Sequence, residues 1–441
     1  MNIQDELSAK IESRAAHVGV IGLGYVGLPL TLAFAECGFP VLGFDTDEIK
    51  ITALNRGESY IRHVDAERIR TQIAAGLLEA TNDFACLSEV DAVLICVPTP
   101  LTEIREPDLR YVIRSARAIC EALRPGQLIV LESTTYPGTT EEVVRPLLEA
   151  GGLACGKEFF LAYSPEREDP GNPKFDTRAI PKVVGGCDRP SLELALQLYR
   201  QVIAETVPVS LPRVAEACKL TENIFRAVNI ALVNELKVVF DAMQIDVWEV
   251  LDAAATKPFG FMRFDPGPGW GGHCIPIDPF YLSWKARENG VQARFIELAG
   301  RVNVLMPQWV VGKLEAALAE RSQILKDSKI LLLGLAYKRD VADPRESPAF
   351  ELISLLRDKG AEVSYHDPLI DKAPAMRSWK NLEPLTSTSL DAETIRAHSA
   401  VVVVTDHSQV DYDLVRRHAS LIVDTRGVYR HLDDTGAIVN A

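Results

Sequence analysis

Short apolar runs alternate with amphipathic segments along the first two hundred residues. The first run, residues 17–21, leads into a glycine-rich turn and then into a segment whose Leu28, Leu32 and Ala35 recur at helical spacing. Further runs of strand length follow at 41–45, 91–97, 128–132 and 159–163. Continuous apolar strands separated by helices are typical of a parallel sheet that is buried on both faces. The pattern therefore predicts an α/β fold that begins with a strand–turn–helix–strand unit.

A long stretch without Gly or Pro marks the centre of the chain. From 213 to about 242, apolar residues recur at helical period, which predicts one helix of roughly 45 Å at 1.5 Å per residue. The next hundred residues contain no comparable strand run, so we expect a helical middle domain. Strand-like runs return at 329–333, 361–365, 399–404 and 421–424, with a helical segment at 348–359. This return of the pattern predicts a second Rossmann-like unit near the C-terminus.

Length and pattern together predict a three-part chain. At roughly 150 residues per domain, the 441 residues correspond to about three domains. We predict an α/β protein with two Rossmann-like parallel-sheet domains joined by the long central helix and a helical middle domain. The predicted domains are residues 1–205, 206–315 and 316–441.

Composition and charge narrow the classes of partner. With 47% hydrophobic and 24% charged residues the chain is an ordinary globular protein, and its formal net charge of −14 disfavours a phosphate backbone. We predict no nucleic acid partner. The uncharged stretch 17–35 carries glycines and a proline at a spacing that a spanning helix does not explain, so we predict no membrane partner. Eight cysteines without a CxxC pair or zinc spacing predict reduced cytoplasmic thiols and no metal site.

The first motif is a GxGxxG turn at residues 22–27. It follows a predicted strand and opens a predicted helix, so backbone N–H groups and the helix N-terminus can hold a pyrophosphate. Asp45 ends the next strand, eighteen residues beyond Gly27, where a carboxylate accepts the ribose hydroxyls of NAD and repels the 2′-phosphate of NADP. This context predicts NAD binding, whereas glycines alone would also fit a turn that is merely tight.

A second motif places a thiol in a loop rich in Gly and Pro. Cys274 lies within residues 271–279, where few side chains keep ligands away from the backbone. A nucleophile is one interpretation, and an inert buried thiol is the other. His273 precedes it, but neighbours in an extended loop usually point apart, which weakens the case for this imidazole as the activating base.

A third motif lies early in the long predicted helix. Lys219, Asn223 and Arg226 fall at i, i+4 and i+7, so a lysine, an amide and a guanidinium share one face. An amide between two cations suits a phosphorylated ligand and its reacting hydroxyl. A solvated helix face would show the same pattern, and spacing alone does not separate the two.

Taken together, these motifs resemble the UDP-sugar 6-dehydrogenase family, the relatives of UDP-glucose dehydrogenase. The resemblance runs from about residue 17 to 430 and rests on GLGYVGLPL, VPTPL, STTYPGTT, SPERE, AEACKLTENIFRAVN, GPGWGGHCIPIDP, GLAYKRDVADPRESP and DTRGVY, all in family order. The form GGHCIPIDPFYLSWKA is most similar to the branch that oxidises UDP-N-acetylglucosamine. The other branches act on UDP-glucose, UDP-N-acetylmannosamine and UDP-N-acetylgalactosamine.

The resemblance implies a four-electron oxidation at C6 of the sugar. Two successive hydride transfers to two NAD molecules turn a primary alcohol into a carboxylate. Cys274 would attack the intermediate aldehyde to give a thiohemiacetal, which loses a second hydride and becomes a thioester that water hydrolyses. Lys219 would steady the oxyanion at C6, with Asn223 and Asp278 positioning a water or the lysine, and Thr134 would lie near the nicotinamide. Glu166 belongs to the same catalytic set.

The resemblance also implies which residues hold the ligands. Those expected to contact NAD are Gly22, Gly24, Tyr25, Val26, Gly27, Asp45, Lys50, Pro98, Thr99, Ser133, Thr134 and Arg345. Those expected to contact the UDP-sugar are Glu166, Arg167, Lys219, Asn223, Arg226, Phe264, Gly269, Gly271, Lys338 and Arg426. Cations in the second set suit a diphosphate.

Two departures from the family pattern bear on the sugar. Where UDP-glucose enzymes carry a second glutamate that supports hydrolysis, this chain has Pro170, with Glu168 two positions earlier. Ile277 replaces a frequent lysine in the cysteine motif. Both changes fit an enzyme that accepts a 2-acetamido sugar, and they leave open whether Glu168 replaces the missing glutamate.

The resemblance further implies a cytoplasmic enzyme that is at least a homodimer, assembled through its central helices, and that supplies a uronic acid precursor for surface polysaccharide or lipopolysaccharide. Two rival functions remain. A hydroxy acid dehydrogenase also joins a Rossmann domain to a helical one, but makes one oxidation and needs no thiol. A nucleotide-sensing protein without turnover would explain the glycines and leave Lys219, Cys274 and Asp278 without a role.

Overall fold

The computed structural model describes residues 2–61, 64–102, 106–167, 178–272, 275–374, 376, 379, 383, 385–432 and 436–441. The chain divides into two compact units. The first comprises Met1–Glu222 and Phe280–Val291, and the second comprises Asn223–Pro279 and Gln292–Ala441. The predicted three-domain boundaries stay a prediction.

The first unit is built on one sheet of eight strands within the described residues, in the order β3-β2-β1-β4-β5-β6-β7-β8. Its strands are β1 Val18–Ile21, β2 Val41–Phe44, β3 Leu78–Thr81, β4 Ala92–Ile95, β5 Leu128–Leu131, β6 Phe160–Tyr163, β7 Lys182–Gly186 and β8 Thr206–Val209. The order reverses between β1 and β4, as in doubly wound dinucleotide-binding sheets. Every strand pair is parallel except β6 and β7, which are antiparallel.

Helices cover both faces of this sheet. They are α1 Ile3–Glu12, α2 Gly27–Glu36, α3 Glu48–Asn55, α4 Ala66–Ala74, α5 Arg110–Ala122, α6 Arg145–Glu149 and α7 Arg189–Tyr199, with short turns at Phe84–Ser88 and Thr140–Val144. Strand β4 shows why the sequence reads as continuously apolar. Ala92 and Leu94 enter one core cluster, whereas Val93 and Ile95 enter the cluster on the opposite face.

Helices make up the middle of the chain, and two of those that the structure describes are long. Helix α8, Pro212–Ala242, runs through the boundary between the units and matches the stretch that the sequence predicts as one helix. It is followed by α9 Val247–Ala254, α10 Asp278–Glu288 and α11 Arg294–Glu320. None of the helices in the described ranges has the length and apolar character needed to cross a bilayer.

Over the part of the second unit that the structure describes, five parallel strands form a sheet in the order β10-β9-β11-β12-β13. Its elements are β9 Lys329–Leu333, α12 Pro348–Asp358, β10 Glu362–His366, α13 Ala392–Arg396, β11 Ala400–Val403, α14 Tyr412–His418, β12 Ile422–Asp424 and β13 Ile438–Asn440. Alternate residues of β9 again enter opposite core clusters. The predicted α/β class with two Rossmann-like sheets is confirmed.

One feature of the first sheet differs from the prediction of parallel strands. Strand β7 runs antiparallel to β6 and lies next to the edge strand β8, and the sequence analysis identified neither β7 nor β8. Strand β8 is partly exposed and contains Pro208, and edge positions tolerate such residues. A short, half-exposed strand has no apolar run by which it can be recognised.

Candidate active site

The three glycines of the first turn differ in backbone conformation and in the atoms that surround them. Gly22 adopts φ +94° and donates its N–H to the carbonyl of Phe44 at 2.7 Å. A Cβ on Gly27 would overlap the carbonyl oxygen of Gly22, so the helix can start this close only with glycine there. A Cβ on Gly24 would meet no atom within 4 Å. The turn is therefore tight on one side and open at Gly24, directly before the N-terminus of α2, which suits a bound phosphate.

Asp45 is held beside this turn at the carboxyl end of β2. Its Oδ2 accepts the N–H of Leu23 at 3.0 Å and the ammonium of Lys50 at 3.1 Å, while Oδ1 accepts the N–H of Asp47 at 3.0 Å. Tyr60, which the sequence analysis did not identify, donates its hydroxyl to the carbonyl of Leu23 at 2.5 Å. Burial, together with Asp45 and Asp47, raises the pKa of Tyr60 and keeps it a donor.

The ends of β4 and β5 are joined by side-chain hydrogen bonds. Thr99 donates its hydroxyl to the carbonyl of Thr134 at 2.7 Å. Ser133 accepts the N–H of Val97 at 3.0 Å and donates to the carbonyl of the same residue at 2.8 Å. Tyr281, on α10, donates its hydroxyl to the carbonyl of Thr99. These residues fix the sheet edge next to the point where strand order reverses, which is where open α/β sheets bind ligands.

Lys219 lies in the first third of α8, and its surroundings hold that part of the helix in place. Its accessible fraction is only 7%. One turn earlier, the buried carboxylate of Glu216 accepts the N–H of Gly138 at 2.5 Å and both the N–H and hydroxyl of Thr140, at 2.9 and 2.7 Å. Burial raises the pKa of Glu216 to about 7 against these hydrogen bonds. Glu216 thus ties α8 to the turn that follows Thr134.

After β6, Glu166 and Arg167 lie among charged groups. Arg167 donates its N–H to Glu166 Oε1 at 2.6 Å, and its guanidinium contacts the carbonyl of Pro181 at 2.6 Å and Glu222 at 2.7 Å. Lys182 lies 3.7 Å from Glu166 Oε2. The sequence analysis missed Lys182, although a lysine that begins the apolar run 182–186 is a signal of a buried charge. Glu168 lies outside the described residues.

In the second unit, Asn223 and Asp278 meet although 55 positions separate them. The buried Asn223 amide donates to Asp278 Oδ2, and Arg226 donates to Asn223 Oδ1. The amide is therefore oriented from both ends. Cys274 and His273 lie outside the described residues, so their predicted roles stay predictions.

The glycine loop ahead of the cysteine packs against residues of the same unit. A Cβ on Gly271 would lie 2.7 Å from Cβ of Tyr337, and Gly272, with φ +89°, donates its N–H to the carbonyl of Arg345 at 3.1 Å. Gly269 has φ +134°. Close packing therefore explains these glycines independently of any ligand.

The cations predicted for the substrate and cofactor occupy defined places in the second unit. Arg426 follows β12 and donates Nε–H to the carbonyl of Val404 at 2.7 Å. Burial lowers the pKa of Arg426 below the usual value for arginine. Arg345 forms an ion pair with Asp343 at 2.6 Å.

Two further residues predicted to contact the substrate lie in this unit. Phe264 makes an edge contact with Phe225, with ring centroids 5.8 Å apart. Lys338 lies in the segment that joins β9 to α12. The ligand contacts predicted for these residues remain predictions.

A doubly wound sheet, an open glycine turn at a helix N-terminus and a carboxylate at the end of the second strand define a dinucleotide-binding α/β protein. Three domain models of one family match the chain. They are the NAD binding domain at residues 16–203, the central domain at 213–304 and the UDP binding domain at 331–431. The chain belongs to the UDP-glucose/GDP-mannose dehydrogenase family. The predictions of family, NAD cofactor and oxidoreductase class are confirmed.

Individual relatives match over almost the whole chain. A UDP-N-acetyl-D-glucosamine 6-dehydrogenase from Pseudomonas aeruginosa is 36% identical over 394 residues, which cover 89% of this chain and 90% of that protein. A UDP-N-acetyl-D-mannosamine dehydrogenase from Escherichia coli K12 is 36% identical over 431 residues, covering 94% and 99%. The solved structure of UDP-D-ManNAc dehydrogenase from Pyrococcus horikoshii matches with a TM-score of 0.85 at 31% identity, covering 96% and 98%.

Proposed function

We propose that this protein oxidises C6 of UDP-N-acetylglucosamine to the carboxylate, with two NAD⁺ reduced per sugar. The observation that carries the proposal is the buried Asn223–Asp278 hydrogen bond, because it orients the amide of Asn223 against a carboxylate that lies four residues beyond Cys274 in the sequence. The overall reaction consumes one alcohol, one water and two NAD⁺, and yields one carboxylate, two NADH and three protons.

The thiol of Cys274 is proposed to carry the second half of the reaction. Bound NAD⁺ accepts a hydride in each oxidation. The Cys274 sulfur attacks the aldehyde carbon to form a C–S bond, and loss of hydride from that carbon leaves a thioester. Water then adds to the thioester, the C–S bond breaks, and the sulfur leaves as thiolate. Lys219 is proposed to stabilise the negative charge that develops on the C6 oxygen.

The acetamido sugar is supported by two kinds of similarity. The UDP-N-acetyl-D-glucosamine 6-dehydrogenase from Pseudomonas aeruginosa is 36% identical, and the sequence around Cys274 is most similar to the branch that oxidises UDP-N-acetylglucosamine. The UDP-N-acetyl-D-mannosamine dehydrogenase from Escherichia coli is equally identical, so UDP-N-acetylmannosamine is the alternative substrate. The reaction is the same for both sugars.

A substrate panel tests this function. The full chain is incubated with NAD⁺ and, separately, with the UDP derivatives of N-acetylglucosamine, N-acetylmannosamine, N-acetylgalactosamine and glucose. Two NADH per UDP-N-acetylglucosamine, with a uronate product by mass spectrometry, is expected. One NADH per substrate would contradict the thioester route and favour a simple alcohol dehydrogenase. Equal turnover of UDP-glucose would contradict the acetamido specificity.

A serine substitution tests the thiol directly. Cys274→Ser is expected to bind both ligands and to release no uronate. The serine oxygen forms the covalent adduct with the aldehyde, which the second oxidation requires, less readily than a thiolate does. Cys86→Ser, in the turn Phe84–Ser88 of the first unit, is a matched control that should retain full activity. Full uronate release by Cys274→Ser would remove the thioester from the mechanism.

We also propose a homodimer in the cytoplasm that supplies a precursor of surface polysaccharide. Large apolar side chains of the second unit are exposed along α8, directly after it and along α11: Leu232, Val239, Met243, Leu298 and Leu305. A second copy that covers this surface is expected to double the mass of the particle. Light scattering that returned the monomer mass at micromolar concentration would contradict the dimer.

A further inference from the structure

A buried charged cluster in the first unit lies behind Glu166 and has no part in the chemistry described so far. Its members are Glu132, Lys182 and Tyr199. Glu132 directly follows β5, Lys182 begins β7, and Tyr199 ends α7. Burying ionised groups is costly unless they are paired, so a cluster of this kind requires an explanation.

Lys182 is the centre of the cluster. Its side chain is 5% exposed, and Nζ lies 2.6 Å from Glu132 Oε2 and 3.7 Å from Glu166 Oε2. Nζ also points to the carbonyl of Pro165 at 3.4 Å and lies 5.1 Å from the ring centre of Tyr199. Burial alone would lower the pKa of Lys182, but the two carboxylates outweigh it and raise the pKa, so the side chain is an ammonium.

Glu132 forms the shorter of the two ion pairs with this ammonium. Its side chain is fully buried, and Tyr199 donates its hydroxyl to Oε1 while Oε2 faces Lys182. Tyr199 lies on α7 and Lys182 lies on β7. Because both oxygens of Glu132 accept hydrogen bonds from side chains on these elements, Lys182 has little freedom to move. Lys182 also contacts the carbonyl of Pro165 and the carboxylate of Glu166, and both of these groups belong to the turn after β6.

The surroundings of Glu166 favour a role in handling water. A cavity of about 10 Å³ is lined by Pro165, Glu166, Arg167, Ile180, Pro181 and Lys182, which is room for about one water molecule. Lys182 Nζ lies 3.7 Å from Glu166 Oε2, Arg167 donates its backbone N–H to Glu166 Oε1, and the Arg167 guanidinium is paired with Glu222. A carboxylate that one fixed cation orients toward a water-sized space can align a water and take its proton.

We infer that Lys182, anchored by Glu132 and Tyr199, is a positioning residue that holds Glu166 oriented for the hydrolysis of the thioester. This inference rests on the proposed function. In the step concerned, the water oxygen forms a bond to the acyl carbon, its proton passes to the Glu166 carboxylate, and the C–S bond breaks with the electron pair on sulfur.

The main test removes the cluster without leaving a buried charge unpaired. In the double variant Glu132→Gln/Lys182→Met both charges of the inner pair are lost, whereas Lys182→Met alone leaves an uncompensated carboxylate and would fold poorly. The first NADH is expected to form at the normal rate in a stopped-flow burst. Hydrolysis is expected to slow by about tenfold or more, with the acyl-enzyme visible as an added mass after acid quench.

A matched control separates this effect from a general loss of stability. Lys10→Met/Asp91→Asn removes the charge of another buried carboxylate of the same unit, which pairs with Lys10 and with Arg124 at 2.7 Å each and is distant in sequence from the turn after β6. It should leave both phases unchanged. Lys182→Arg, which keeps the cation, should restore most of the hydrolysis rate. Equal slowing of both phases in the Glu132/Lys182 variant, or slowing in the control as well, would overturn the inference.

A second measurement needs no substrate. Protein labelled with ¹³C at glutamate side-chain carboxyls is compared by NMR at one pH, and Glu166→Gln identifies the resonance of Glu166. In Glu132→Gln/Lys182→Met the chemical shift of this resonance should change, because the ammonium 3.7 Å from Glu166 Oε2 is lost. An unchanged chemical shift would contradict the role of Lys182. If wild type formed no NADH with any UDP-sugar, the proposed function would fail while this comparison still decided the Lys182–Glu166 contact.

Discussion

The two sheets of this chain open with turns that share a backbone and differ in what surrounds it. In the first unit, Gly22 has φ +94° and donates its N–H to the carbonyl of Phe44 at 2.7 Å. In the second, Gly334 has φ +91° and donates its N–H to the carbonyl of His366 at 2.8 Å. In both units the glycine of the turn is hydrogen-bonded to the last residue of the neighbouring strand, so the two turns are fixed to their sheets in the same way.

In each unit a carboxylate directly follows the second strand along the chain. The exposed fraction of its side chain differs between the two units. Asp45 accepts the N–H of Leu23 and the ammonium of Lys50, and this lysine is partly exposed and able to move away. Asp367 accepts the N–H of Leu335 at 2.7 Å, and its side chain is 0% exposed. The side chain of Asp45 is 10% exposed beside a lysine that is itself partly exposed, whereas the side chain of Asp367 is completely buried.

Asp367 is saturated with donors. They are the N–H groups of Leu335, Ala336, Leu369 and Ile370 and the Nε2 of His407. Although burial opposes it, this set of donors lowers the pKa of Asp367 to about 2. Since Nδ1 of His407 accepts the N–H of Asp340, Nε2 is the donor to the carboxylate.

Helix placement completes the contrast. Helix α2 begins at Gly27, immediately after the first turn, whereas α12 begins at Pro348, well beyond Gly334. The second turn thus has no helix N-terminus to receive a phosphate. The same fold carries a dinucleotide site in one unit and a loop with Lys338 and Arg345 in the other.

The largest expected effect comes from removing the sealed carboxylate. Asp367→Ala leaves four N–H groups and an imidazole without their acceptor and should lower the free energy of unfolding of the second unit by about 3–5 kcal/mol. Asp45→Ala should cost the first unit only about 1 kcal/mol. Hydrogen exchange followed by mass spectrometry, read separately in β1 and β9, distinguishes the two. Equal loss of protection would mean that both carboxylates are structural.

The same carboxylate predicts an acid dependence. The pKa of Asp367 is lowered to about 2 from an unfolded value near 3.9, so its contribution is complete above about pH 4 and is lost as the pH falls through about 2. In Asp367→Asn this loss should disappear from the unfolding curve of the second unit.

The sequence analysis predicted the carboxylate of the first unit, Asp45, and not that of the second, Asp367. Only Asp45 belongs to a local pattern that can be recognised from spacing. Gly22 to Asp45 is a local pattern with a known spacing, and the strands around it are continuous apolar runs. The turn at Gly334 has Ala336 and Arg339 in place of the other glycines, so nothing marks Asp367. The contacts Glu132–Lys182 and Asn223–Asp278 join residues fifty or more positions apart, and only the folded sheet or helix packing brings such pairs together.

A second contrast between the units concerns buried lysines and carries the next prediction. Lys182 faces two carboxylates, whereas Lys237, on α8 in the second unit, is 3% exposed and has no hydrogen-bond partner among the described residues. Its ammonium lies 5.0 Å from the ring centre of Trp309. Burial first, and then the charge of Arg426, lowers the pKa of Lys237 to about 7.

Lys237→Met should therefore stabilise the second unit. Below pH 7 the folded wild type carries a buried ammonium, and the gain on substitution should be on the order of 3 kcal/mol. The gain should shrink as the pH rises from about 7 toward 10.5, where the unfolded lysine also loses its proton. Urea unfolding at pH 6.5 and pH 9.5 measures the difference. Destabilisation by methionine at both pH values would show that the ammonium has a partner in solution.

Asp45→Asn tests how the carboxylate of the first unit affects the choice between NADH and NADPH. An amide accepts ribose hydroxyls less well and no longer repels a 2′-phosphate, so the Kd for NADH should rise about tenfold while the preference over NADPH narrows. Calorimetric titration of both nucleotides measures this. Asp47→Asn, which changes the neighbouring carboxylate that caps α3, is the control and should leave the preference intact. If Asp45→Asn left the preference unchanged as well, the choice between NAD and NADP would depend on other residues.

The smallest expected change in stability is at Gly24. Because a Cβ there meets no atom within 4 Å, Gly24→Ala should leave Tm within about 1 °C of wild type while NADH affinity falls severalfold, since the methyl group occupies the space that a phosphate needs. Gly22→Ala is the matched comparison, because its φ of +94° and a Cβ placed 2.6 Å from the carbonyl oxygen of Cys96 should lower Tm by several degrees. Thermal unfolding with and without NADH separates the two effects. A Gly24→Ala protein that bound NADH as tightly as wild type would show that the open side of the turn is not where the pyrophosphate lies.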